Sequence, residues 1–141
     1  MLAKWPRITV TTIDVSLKTR MDPEVLDGLS GSSSPAARYT LQYTRRPVKI
    51  NYLWDELAAA AWLDPSLITA ERDVYMNVDI NHGPTYGDTL IWNEMVKPNL
   101  QLQKVHAQTD VDLPRLQRLL IQLLRSPTPQ ADSTVRQGRP Q

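Results

Sequence analysis

The sequence contains no cysteine, which removes disulfides, thiol catalysis, iron–sulfur clusters and cysteine-based zinc sites from consideration. It also carries almost no net charge: 16 basic side chains stand against 15 acidic ones, giving +1, with both signs interspersed. Such a surface does not draw in a polyanion, so neither a nucleic-acid polymer nor a membrane surface is an expected partner. Long hydrophobic runs are missing too. The opening MLAKWPRITV has no apolar core of the length a secretory signal needs, and no segment approaches the roughly 20 apolar residues that span a bilayer. A cytoplasmic chain is the expectation.

The usual enzyme signatures are equally scarce. No serine sits in a nucleophile elbow, no glycine-rich phosphate loop is present, and there is no HExxH motif. Only two histidines occur. His82 falls in a glycine- and proline-containing turn and reads as a surface residue. His106 lies in an alternating segment and reads as a structural strand residue.

What is present is the composition of a folded domain. The 141 residues are 41% hydrophobic and 22% charged, close to globular averages and to the usual size of one domain. RITVTTIDV (residues 7–15) is rich in β-branched residues and is expected to be a strand. Pro23 suits the start of a short helix, and Pro35 the start of another that ends before Pro47. RDVYMNVDI (72–80) alternates Val74, Met76, Val78 and Ile80 with polar residues, the period of a half-buried strand. DTLIW and LQKVHAQTD are further strand candidates around the turn NHGPTYGD. A last helix is expected from about Asp112 to Arg125, with Leu116, Leu119, Leu120, Leu123 and Leu124 as its apolar stripe. Residues 126–141 have little to bury and are expected to form a disordered tail beyond a folded unit of 1–125. Mixed strands and helices make the fold α/β or α+β.

The stretch INYLWDELAAAAWLDPSL (50–67) raises the functional question. Asp55 is a good N-cap residue, Glu56 suits the positive end of a helix, Ala58 to Ala61 favour the helix, and Asp64-Pro65 ends it. A cap with a hydrophobic neighbour explains Asp55 and Trp54. A carboxylate beside an indole at the mouth of an α/β sheet also fits a binding site, because the carboxylate suits a hard cation and the indole stacks on a planar ring.

YLWDELAAAAWLDPSLIT resembles the C-terminal signature of the inosine/uridine-preferring nucleoside hydrolases, which cleave the N-glycosidic bond of ribonucleosides to ribose and free base. WPRITVTTIDVSLKT, VYMNVDINHGPTYGDTLIW and VHAQTDVDLPRLQRLLIQLL resemble further segments of that family in the same order, so the resemblance extends from Arg7 to Leu124. It implies an α/β, Rossmann-like mixed-sheet fold. It also implies that Asp55 is a ligand to Ca2+, which grips the ribose hydroxyls and orients water. Trp54 is similar to the tryptophan of the purine-preferring type, which stacks on the base. Arg46 and Tyr52 are further candidates for substrate contact on the preceding loop, beside the alternative that both are solvated loop residues.

The same resemblance exposes what is missing. The family's aspartate-rich DxDxxxDD segment, which supplies the other calcium carboxylates and the general base, has no counterpart here. The expectation is therefore a partial fold lacking the family's N-terminal half and catalytically incomplete by itself. Its expected partners are a purine ribonucleoside and either a homo-oligomer or a complementing N-terminal chain. Two alternatives stand beside it: an inactive remnant that binds a nucleobase, and a protein-interaction module with no ligand.

Overall fold

The computed structural model describes residues 5–44 and 51–127. In chain order these form β1 (Thr9–Thr11), α1 (Ile13–Ser16), α2 (Pro23–Leu29), α3 (Pro35–Tyr43), α4 (Trp54–Leu63), a 3-10 turn (Pro65–Leu67), β2 (Ile68–Val78), β3 (Thr89–Trp92), β4 (Gln103–Val111) and α5 (Leu113–Arg125). The four strands make one mixed sheet in the order β1-β4-β2-β3. β1 runs parallel to β4, while β4–β2 and β2–β3 are antiparallel. The fold is α/β with a mixed sheet, as the sequence led us to expect.

Two hydrophobic clusters hold it together. The larger joins the helices: Val15 of α1, Val25 and Leu26 of α2, Leu53 and Leu57 at α4, Leu67 of the 3-10 turn, and Leu116 and Leu120 of α5. The smaller lies on one face of the sheet, where Val74 and Met76 of β2 meet Val105 and Ala107 of β4, flanked by Ile8 and Val10. Register explains that face, since Val74 pairs with Val105 and Val10 with Ala107. Side chains directly opposite one another on neighbouring strands share a face of the sheet. α2 and α5 approach closely at Gly28, where an added Cβ would lie 2.7 Å from Ile121 Cδ1.

Several local expectations are corrected. The strand expected over 7–15 is only Thr9–Thr11, and Ile13–Ser16 turns into a helix. The reason is tertiary: Val15 is fully buried in the helical cluster, and Ser16 N–H donates to Thr12 O at 3.1 Å. β-branched composition could not register that contact. β2 starts at Ile68 rather than Arg72 and ends at Val78, so Ile80 lies beyond the strand and is exposed. On α5, Ile121 packs against the core while Leu123 is exposed. The tail expected over 126–141 falls outside the described residues from 128 onward.

Candidate functional site

The residues preceding α4 are fixed by pairing with a distant part of the chain. Leu53 N–H donates to Thr19 O at 3.3 Å, Thr19 Oγ1 donates to Leu53 O at 3.2 Å, and Met21 N–H donates to Asn51 O at 2.8 Å. Arg20 and Tyr52 form an antiparallel bridge between these contacts. Thr19 and Leu53 are both fully buried, so this short ladder anchors the start of α4 inside the protein. Below it, Leu53 and Leu57 lie one helical turn apart and point into the core.

Trp54 is the first residue of α4 and Asp55 the second, with Leu53 in the N-cap position. Asp55 is therefore not the N-cap expected from sequence, and Leu53 supplies no side-chain cap bond. Burial decides this: the chain seats Leu53 in the core, and the helix begins immediately after it. Asp55 instead lies in the first turn with Glu56, where negative charge meets the positive end of the helix. Asp64 ends the helix as expected and caps the following 3-10 turn, accepting from Ser66 N–H at 3.2 Å. The bonds from Ser66, reinforced by the Arg115 guanidinium at 2.7 Å, hold the Asp64 carboxyl below its ordinary value.

Both candidate residues face solvent. Trp54 is 46% exposed, and Tyr52 meets it edge-on with ring centroids 6.0 Å apart and planes at 79°. Arg20 adds a cation 5.9 Å from the centre of the Tyr52 ring. The structure thus brings Tyr52, Trp54 and Asp55 together and adds Arg20. Sequence reasoning missed Arg20, because it lies 32 positions before Tyr52 and only the long-range bridge unites them. Arg46 lies outside the described residues.

Each histidine has its own local partner. His82 stacks on Tyr86, with centroids 4.7 Å apart, in the turn between β2 and β3. His106 Nδ1 lies 2.6 Å from Asp73 Oδ1, and Lys104 Nζ lies 2.7 Å from the other oxygen of the same carboxylate. Lys104 foremost, with His106 beside it, holds the Asp73 carboxyl below its ordinary value.

A calcium ion takes about 6–8 oxygen ligands. Among the described residues there is no group of three or more His, Cys, Asp or Glu side chains placed to hold a metal. Asp55 brings at most two oxygens, so the described residues do not by themselves fit a calcium ion. Nor does any described helix have the length and apolarity to cross a membrane.

No protein-family model and no curated protein matches the sequence. Solved structures do. The chain is similar to a plant nucleoside hydrolase, PpNRh1, with a TM-score of 0.70 and 25% identity over 86% of this chain and 42% of that one. It is also similar to a purine-preferring ribonucleoside hydrolase from Gardnerella vaginalis, with a TM-score of 0.66 and 21% identity over 84% of this chain and 40% of that one. The fold is nucleoside-hydrolase-like, and the chain spans about two fifths of the length of either neighbour.

Proposed function

We propose that this chain forms part of a nucleoside hydrolase, contributing one wall of a site that cleaves the N-glycosidic bond of purine ribonucleosides. The observation that carries the reading is the pairing of an exposed indole and an exposed carboxylate on consecutive residues at the start of α4, within a nucleoside-hydrolase-like fold. Trp54 offers a plane on which a nucleobase stacks, and Tyr52 fixes its edge. Such stacking is worth about 1–3 kcal/mol per base and accepts any aromatic base. Asp55 is assigned as one carboxylate of a calcium site, which needs further oxygen ligands that the described residues do not group around it.

Hydrolysis needs more than this wall. A base must take a proton from the attacking water, and the sequence has no counterpart of the aspartate-rich segment that supplies one in the family it resembles. The activity of the isolated chain is accordingly binding of the base, without turnover. That same observation favours the second reading, a nucleobase-binding module.

The test is inosine affinity for the wild-type chain, Trp54→Ala and Asp55→Ala, with and without calcium. Trp54→Ala should weaken binding by roughly 5- to 150-fold, the equivalent of about 1–3 kcal/mol. Asp55→Ala should remove any dependence on calcium while leaving base stacking in place. Equal affinities for wild type and Trp54→Ala would overturn the assignment.

A further inference from the structure

β1 is an edge strand whose other side is unpaired among the described residues, and it is the parallel member of the sheet. Parallel strands in α/β proteins are almost always covered on both faces, and bare edges invite another strand. Beside β1 the sheet face carrying Thr9, Thr11, Glu71 and Gln108 meets Ala58, Ala61 and Trp62 of α4 across an open cleft of about 610 Å³. Trp62 is 82% exposed at its rim. Gln108 is buried and accepts from Thr11 Oγ1 at 2.8 Å through Oε1, which leaves its amide N–H groups for another acceptor. Arg7 and Glu71 also line the cleft, exposed and without ion-pair partners among the described residues.

A bare parallel edge, small alanine side chains, an exposed indole and unused polar groups together describe a packing surface without its partner. The neighbours indicate what that partner is. Both contain more than twice the length of chain that this one matches, within the same fold. We propose that this cleft and the free edge of β1 are the docking surface for a complementary α/β polypeptide segment, equivalent to the part of the nucleoside-hydrolase fold that this chain leaves unmatched. That segment adds a strand along β1, covers Trp62, and presents an acidic group to Arg7 and a basic one to Glu71. Trp62 lies seven residues along α4 from Asp55, about 10 Å at the helical rise. The cleft thus lies within about two helical turns of Asp55 along α4. The inference rests on the sheet edge and the fold match, not on the nucleoside reading.

The experiment co-expresses the full chain with the unmatched part of the plant nucleoside hydrolase as a separate polypeptide. Complex size is measured by sedimentation velocity and amide exchange by mass spectrometry. The expected result is a one-to-one complex in which exchange of the Thr9–Thr11 amides slows at least about tenfold. Trp62→Lys should weaken the complex by about tenfold or more, as loss of an aromatic side chain buried on docking does. Met95→Lys, at an exposed position after β3, should leave it unchanged. Failure to co-purify, protection confined to Thr89–Trp92, or a homodimer of this chain protecting β1 would each overturn the proposal. Trp54→Ala separates the two readings, since it should weaken base binding roughly 5- to 150-fold and leave the complex intact.

Discussion

Leu57→Ala tests whether the core fixes the candidate site. Leu57 is fully buried, one turn below Trp54, against Leu53, Leu67 and Leu116, which are themselves fully buried. Those neighbours come from three separate elements, so they have little freedom to collapse into the space a truncated side chain leaves. Leucine-to-alanine changes in cores cost about 2–5 kcal/mol, rising with the residual cavity. The surroundings of Leu57 place it in the upper half, roughly 3–5 kcal/mol. Against a total stability of about 5–15 kcal/mol this is a large fraction. With a urea slope of about 1–3 kcal/mol/M, the unfolding midpoint should fall by at least about 1 M. Urea titration followed by far-ultraviolet circular dichroism measures it. Ala59→Gly on the exposed side of the same helix is the control, expected to cost only the intrinsic helix penalty of about 1 kcal/mol. If Leu57→Ala costs no more than Ala59→Gly, α4 is not seated as described and Trp54 and Asp55 have no fixed position.

Other outcomes follow from the same structure. Asp112 accepts from Arg115 N–H at 3.0 Å and caps α5, so Asp112→Ala should cost about 0.5–2 kcal/mol in the same titration. Asp64, Asp73 and Asp110 all have carboxyl groups held below the ordinary value of 3.8, by Ser66, Lys104 and Lys18 respectively. The folded state thus binds fewer protons than the unfolded one, and the stability these groups contribute is present above pH 3.8 and lost as pH falls through their folded values. Urea midpoints should therefore be level near neutrality and drop below that point, and a midpoint that rises on acidification would contradict the assignment. Ribose release from inosine, with calcium and the chain at high concentration, should not exceed the uncatalysed rate. Turnover that Asp55→Ala abolishes would mean that unrecognised residues complete the site.

Much of the fold was legible because its signals are local. Asp64-Pro65 ends α4 in the structure as in the sequence, and Pro23, Pro35 and Pro114 each lie in the first turn of a helix. The alternation of Val74 and Met76 marks a strand for the same reason. Where packing overrode propensity, the sequence misled: buried Val15 draws Ile13–Ser16 into a helix, and buried Leu53 takes the cap position from Asp55. The candidate site divides along the same line. Trp54 and Asp55 were visible as neighbours, whereas the bridge that brings Arg20 to Tyr52 is a long-range pairing with no local pattern. Which strand forms the edge of the sheet among the described residues was hidden too, because strand order is a property of the assembled sheet.

The most direct measurement follows the four tryptophan indole N–H resonances by nuclear magnetic resonance while inosine is added. The Trp54→Ala variant assigns the Trp54 resonance by its disappearance. A shift concentrated on Trp54, with Trp62 little changed, is the expected result and places the base at the start of α4. No shift on any indole, or one centred on Trp62, would contradict the account.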